Sequence, residues 1–398
     1  MKNIFLFLFL MTASLQAQTN TWMQRPFLPA TVRYHPIGFS YGSAGFIGLG
    51  NNNGSVMTDL WEFNPTAGTW TQRASFPGGG RFGASCFVIG DFAYVGCGWD
   101  NANVAYSDFY RYKISTNTWS SVASYPGTSF YTGVNFAIGG KGYTGIGFAP
   151  YTLEFYEYDT TSNAWTRKAD FAGGIRQSSY SFAYNGKGYV TTGSHGWPAN
   201  PYNDMWEYNP VTNLWSQKAS LPGAVRYGCV GFLINNIAYV GMGMDGTNYF
   251  NDMYAYNIST NTWAVADSFP STPRAFPGCF TIGNSGYMCA GGISGQNINF
   301  NDFWEYGPLS STTELSEKIS IKPFPNPCST EFAFNTSGYY QHGAQLYIYT
   351  SDGKLIQKAD LTNGVNVIKL KPEISTGTYH ATYIQQDFKT TFKLVVMR

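Results

Sequence analysis

One tryptophan recurs along the first three quarters of this chain at a nearly fixed interval. It stands at Trp22, Trp70, Trp119, Trp165, Trp215 and Trp263, with neighbours 48, 49, 46, 50 and 48 residues apart. A period of this size predicts a propeller or a solenoid, in which each repeat is one supersecondary unit that cannot bury its apolar face alone. Asn203 to Pro222 (NDMWEYNPVTNLWSQKASLP) shows the end of one unit. A strand holds Met205, Trp206 and Tyr208, Asn209-Pro210 turns the chain, Trp215 opens a second strand, and a Pro stops it. The abundance of Tyr, Phe, Trp and Gly suits many short strands joined by tight turns, because aromatics pack well on pleated surfaces and Gly supplies positive φ.

Each unit reads as four short strands, a to d. The b strands end FIGLG, YVGCG, YTGIG, YVTTG, YVGMG and YMCAGG, and the c strands read DLWEF, DFYRY, EFYEY, DMWEY, DMYAY and DFWEY. An Arg precedes strand a, Gly residues end strand b, strand c is aromatic, and Trp opens strand d. This arrangement resembles the kelch repeat over residues 18–307. It departs from the pattern where the Gly pair is split as Gly-x-Gly and where Phe130 stands in place of the third unit's Arg. Trp22 begins a d strand with no a, b or c strand before it, and Asp302 to Tyr306 is followed by no Trp-led d strand. The amino-terminal strand is therefore expected to complete the last blade of a six-bladed propeller, which removes free sheet edges.

Strand direction alternates within a blade, so the b–c and d–a loops share one face. The b–c loops there are long and aromatic. Candidate ligand contacts in them are Trp99, Tyr106, Trp197, Tyr202 and Tyr249, with Phe148, Tyr151, His195, Phe250 and Phe300 nearby. The same face receives Arg33, Arg81, Arg176, Arg226 and Arg274, each opening a strand a. Two readings of this ring are open: guanidinium groups gripping carboxylates or acidic sugars, or arginines tying blades together through carbonyls and the strand c acids. The acids Asp59, Asp108, Glu154, Asp204, Asp252 and Asp302 repeat too regularly for catalysis and read as turn caps or Arg partners.

The chain's few His include only His35 and His195 in the repeats, and no cluster has metal-ligand spacing. A copper oxidase of the kelch type would need two His and a Cys–Tyr pair near the axis. There is no nucleophile elbow, phosphate loop or zinc spacing, so no catalytic residue, metal or cofactor is assigned. The net charge of +1 points to neither nucleic acid nor an acidic membrane. Cys86 with Cys97, and Cys279 with Cys289, lie on successive strands as possible bridges, although small buried thiols fit their spacing better.

The ends concern destination. Residues 1–17 combine a positive start with a short apolar run (IFLFLFLMTASL) and read as a secretory signal, too short for a membrane span. No transmembrane segment is expected in the mature chain. Residues 308–318 read as a polar linker, and eight of the fourteen Lys follow residue 315, which marks a domain boundary. From 319 to 398 alternating short strands predict a small β-sandwich, with hairpin signals at Ser351-Asp352-Gly353 and Thr362-Asn363-Gly364. Pro325-Asn326-Pro327, Ile348 to Leu355, Ile374 to Tyr379 and Lys393 to Val396 make this region resemble the type A carboxy-terminal sorting domain of the type IX secretion system of Bacteroidetes. The resemblance implies passage across a Gram-negative outer membrane, then release or attachment at the cell surface.

The fold expected is all-β, a six-bladed propeller followed by a small sandwich. The function expected is that of an exported, monomeric binding protein whose partners are a glycan or protein ligand and the secretion machinery. The alternatives are an enzyme resembling sialic acid mutarotases, which need an acid/base residue and an Arg for the carboxylate, and an envelope or adhesion scaffold.

Overall fold

The computed structural model describes residues 20–102, 104–196, 199–293, 296–308, 323–336, 344–351, 354–362, 364–385 and 388–398. The expected signal segment lies outside them, as does the expected linker beyond Pro308.

Six four-stranded antiparallel sheets make up residues 20–308. Blade 1 takes Ile37–Tyr41, Ala44–Gly48, Leu60–Asn64 and Thr69–Arg73 as strands a to d, and the next four blades repeat this order. Blade 6 takes Gly278–Ile282, Ser285–Cys289 and Phe303–Pro308, and its d strand is Asn20–Arg25, paired antiparallel with Phe303–Pro308. The expected closure by the first strand is what the structure shows, and the molecule is a β-propeller.

Three devices join neighbouring blades, and each explains a feature of the repeat. The first is the tryptophan. Its Nε1 donates to a backbone carbonyl just after strand d of the preceding blade: Trp70 to Pro26, Trp119 to Ala74, Trp165 to Ala123, Trp215 to Ala169 and Trp263 to Ala219, at 2.8–3.2 Å. Trp22 closes the circle on Asp267 at 3.1 Å.

The second is a phenylalanine at the same place of every strand a: Phe39, Phe87, Phe136, Phe182, Phe232 and Phe280. Its ring lies over a small residue on strand b of the following blade. A Cβ on Gly45, Gly142, Gly188 or Gly286 would stand 2.0–2.2 Å from the ring of Phe280, Phe87, Phe136 or Phe232, so no side chain fits. At the other two junctions the small residue is Ala93 or Ala238, both fully buried in the clusters that hold Phe39 and Phe182.

The third is a closed ring of backbone hydrogen bonds. His35 N–H donates to Phe276, Gly83 to His35, Thr132 to Gly83, Ser178 to Thr132, Gly228 to Ser178 and Phe276 to Gly228, at 2.7–3.1 Å. All six residues have φ of 52–65°, the left-handed conformation that turns each N–H toward its neighbour. Nothing in the repeat's visible motifs announces this ring, since its members share a backbone conformation and no side chain.

The thiols are all free. Cys279 lies opposite Met288, one place from Cys289, which puts that pair on opposite faces of the sheet, and Cys86 lies opposite Val95 rather than Cys97. Burial raises every one of the six thiols above its ordinary value.

The carboxy-terminal residues form two sheets, one of Glu331–Asn335 with Val365–Lys369 and one of Leu355–Asp360, Gln345–Tyr349, Gly377–Gln385 and Phe388–Val396 in spatial order. Phe332, Phe334 and Ile368 from the first meet Leu346, Ile348, Ala381, Tyr383, Leu394 and Val396 from the second in one core, as a sandwich requires. The signal at 362–364 does not make a hairpin, because the strands on either side of it belong to different sheets. Asn326 ties the Pro-Asn-Pro stretch to the last strand, its amide donating to the Lys393 carbonyl at 3.0 Å and accepting from Val395 N–H at 2.8 Å. Among the described residues no helix is long and apolar enough to cross a membrane.

Candidate ligand-binding mouth

The five arginines do not form a ligand-gripping ring. Arg33, Arg81, Arg176, Arg226 and Arg274 are each 0% exposed. Each pairs with the strand c acid of its own blade: Arg33 with Asp59 at 2.6 and 2.8 Å, Arg176 with Asp204 at 2.6 and 3.0 Å, Arg226 with Asp252 at 2.5 and 2.9 Å. Arg81 pairs with both carboxylate oxygens of Asp108, and Arg274 pairs with Asp302 through Oδ1. The remaining N–H groups go mostly to carbonyls, as Arg33 Nε does to Thr31 and Nη1 to Leu49, with Arg274 Nη2 going to the Ser271 hydroxyl. A buried guanidinium is tolerable only when its charge is matched and its donors are filled, and here both conditions hold. Burial alone would raise the carboxyls of Asp59 and Asp252, but the arginine hydrogen bonds and charge hold both below the usual range. The arginine's own carbonyl accepts from the end of strand b in the preceding blade, as Arg81 does from Gly50 at 2.9 Å. The architectural reading of these arginines is therefore the one the structure supports, and ligand contact through them is corrected.

Phe130 confirms the logic by exception. Its carbonyl takes the arginine's place, accepting from Gly98 N–H at 2.9 Å, but it has no charge to offer. The acid of that blade, Glu154, turns instead to Thr128 N–H at 2.7 Å and to Arg167 at 3.7 Å.

Two aromatic candidates are also spent on the arginines. Tyr106 stacks 4.0 Å over Arg81 and donates to Asp100 at 2.7 Å; Tyr202 stacks 4.0 Å over Arg176 and bonds His195 Nδ1 at 2.6 Å. Each has a face covered and its hydroxyl engaged, so both anchor their loops. Asp100 is a loop cap as well, accepting from Ala102 and Val104 N–H. Trp197 lies outside the described residues.

What stands at the mouth is set by the residues just before the backbone ring. In the six blades these are Tyr34, Phe82, Tyr131, Gln177, Tyr227 and Ala275, and each bridges to a residue beyond strand b: Asn51, Trp99, Phe148, Ser194, Met244 and Gly292 respectively. The candidates Trp99 and Tyr249 belong here, Trp99 bridging to Phe82 and Tyr249 to Met244. The rings touch in series. Tyr34 lies 5.9 Å from Phe82, Phe82 5.5 Å from Tyr131, Tyr131 5.0 Å from Trp99 and 5.7 Å from Phe148, and Phe148 4.5 Å from Tyr151. Tyr151 accepts from Gly196 N–H at 2.9 Å. Burial raises the Tyr131 hydroxyl to about 12 and lifts those of Tyr34, Tyr151 and Tyr227, so all four are neutral donors. His35 lies among the rings of Tyr34, Phe82 and Phe276, 4.0 Å from the last, and burial pushes it down to about 3.

Along the axis is a cavity of about 380 Å³, of the size that takes a small ligand. The backbone ring and small strand a side chains line it, among them Ser40, Cys86, Asn135, Ser181 and Cys279. Among the described residues no group of three or more His, Cys, Asp or Glu could hold a metal ion. Tyr131, Gln177 and Ala275 are among the mouth residues that the sequence reading did not single out. Their signal is a position, one residue after the arginine or its Phe130 substitute.

These features define the class: a six-bladed β-propeller with a varied mouth over an axial cavity. No protein-family model and no curated protein matches the chain. Solved structures do match, among them the structure of YjhT, with a TM-score of 0.60 at 17% identity over 70% of this chain and 95% of that one. At this identity the likeness is one of fold, and this fold hosts many functions.

Proposed function

We propose that the protein is an exported binding protein whose propeller recognises a glycan or protein ligand at this mouth, and whose carboxy-terminal sandwich addresses it to a secretion machinery of the type IX kind. The observation that carries the binding reading is the contrast in the repeat itself. The positions where blades meet keep one chemistry, while the mouth positions change from blade to blade on the same rigid support. A scaffold with varied residues at one opening suits recognition. The test is binding of the mature chain to mixed glycan and peptide arrays, beside a Trp99→Ala/Tyr131→Ala variant. Capture that the variant loses is expected; equal capture by both would remove the mouth from consideration. For export, residues 319–398 fused to a periplasmic reporter should carry it to the surface in a host with that machinery, and retention would count against the sorting role.

A second reading, an enzyme resembling sialic acid mutarotases, draws on the shared fold. The arginines such an enzyme would use for the carboxylate are engaged inside the blades, so it has less support. The scaffold reading predicts no saturable soluble ligand.

A further inference from the structure

We propose that the occupant of the mouth is an uncharged glycan, laid with its sugar faces on the aromatic rings of blades 1 to 3 and its hydroxyls toward the amides that run from blade 6 through blade 1 to blade 2. This rests on the binding role proposed above for the mouth and names its ligand class.

The first ground is charge. The b–c loops, residues 49–58, 97–107, 146–153, 192–203, 242–251 and 290–301, contain no Lys and no Arg. Their carboxylates are Asp100 and Asp245. Asp245 accepts from Thr247 and Asn248 N–H at 2.8 and 2.7 Å and from the Asn248 amide at 3.0 Å, a loop cap like Asp100. With the five arginines sealed in the blades, an acidic ligand finds no cation in these loops. A protein partner would lack both the arginine anchors and the charge complementarity that recognition surfaces use.

The second ground is the distribution of what remains. On blades 1 to 3 the rings of Tyr34, Phe82, Trp99, Tyr131, Phe148 and Tyr151 follow one another, flat surfaces suited to the C–H faces of a sugar. Blade 6 has the smallest mouth pair, Ala275 and Gly292. Asn299 pairs with Gly292 there, and its amide donates to Asn52 at 3.0 Å and to Asn53 at 3.2 Å on blade 1. Asn51 reaches Asn101 of blade 2 at 3.0 Å, so the amides run across three blades. A primary amide carries two donors and two acceptor lone pairs, so the bonds within the cluster do not exhaust it, and hydroxyls need both kinds of partner. Aromatic faces and amides side by side at one opening match a ring with apolar faces and a hydroxylated edge.

The experiment uses the mature full-length chain against three probe sets: neutral oligosaccharides, the same oligosaccharides carrying uronic or sialic acid units, and peptides. Neutral oligosaccharides are expected to bind, with an affinity that hardly changes between about 0.05 and 0.5 M salt, since no charge pair is screened. Tyr131→Ala and Asn299→Ala should each weaken that binding about tenfold, the size of one lost stacking or hydrogen-bonding contact. Should either variant unfold, Tyr131→Leu and Asn299→Ser carry the same test with smaller disturbance. Preference for the acidic or peptide probes, lost in the same variants, would overturn the ligand class and leave the mouth as a recognition site. Neutral oligosaccharides bound equally by wild type and variants would overturn the placement on these rings and amides. Failure of every probe to bind would overturn both readings together.

Discussion

At the seams between blades, all six indoles find a carbonyl of the blade before them, and all six strand a phenylalanines cover a Gly or Ala of the blade after. At the mouth, the equivalent places hold Tyr, Phe, Tyr, Gln, Tyr and Ala. One period thus carries two kinds of position. The seams admit one solution because two sheets must approach within ring contact of each other, and close packing penalises any added methyl group. The mouth meets no such neighbour. Blade 3 lies between these cases: it keeps the backbone bond of its missing arginine through Phe130, and rewires the acid.

The comparison is most easily broken at an arginine. Arg176→Met leaves Asp204 in the blade with only Trp206 Nε1 to answer it, at 2.8 Å, and should cost about 3–5 kcal/mol, read as a lowered urea midpoint. Should the midpoint hold, the buried pair is not what fixes strand a. The paired change Arg176→Phe with Asp204→Glu, which copies blade 3, should recover part of the loss.

Gly142→Val comes next. Its Cβ would stand 2.0 Å from the Phe87 ring, and overpacking of this kind costs about 1–3 kcal/mol or more. A thermal melt that matches wild type would show that the seams tolerate side chains after all.

Tyr106→Phe removes the bond to Asp100 and should cost about 1 kcal/mol in a chemical melt, while ligand capture at the mouth stays unchanged. Lost capture would restore Tyr106 as a ligand contact.

The smallest effect at neutral pH belongs to His35. Burial lowers it from 6.5 to about 3. The unfolded chain therefore binds a proton in this interval that the folded one does not, and stability drains away as pH falls from about 6.5 toward 3. His35→Gln should flatten that part of the stability–pH curve and leave the curve above pH 7 alone. An unaltered slope would mean that His35 is wetter than its neighbours suggest.

Much of the fold was legible because seams are repetitive. The tryptophan period gave the blade count, and the unmatched strands at Trp22 and Asp302 to Tyr306 gave the closure, as the pairing of Asn20–Arg25 with Phe303–Pro308 shows. The arginines were visible too, but a sequence lists a charge without saying which way it points. At Arg33 or Arg226 the outward and inward readings produce the same letters. In the carboxy-terminal region, Thr362-Asn363-Gly364 reads as a hairpin, yet whether the flanking strands pair with each other or cross to another sheet depends on contacts far along the chain, and here they cross.

The sequence by itself determined the repeat, the number of blades and the strand that closes them, since periodic packing needs periodic residues. Only the tertiary structure decided that the arginines are sealed inside the blades and that Tyr131 and Gln177 stand at the opening. It also revealed the ring from His35 through Phe276, six backbone bonds that join residues with no chemistry in common. Burial, side-chain direction and backbone hydrogen bonding are relations between distant parts of a chain, and they come into being only when the circle closes.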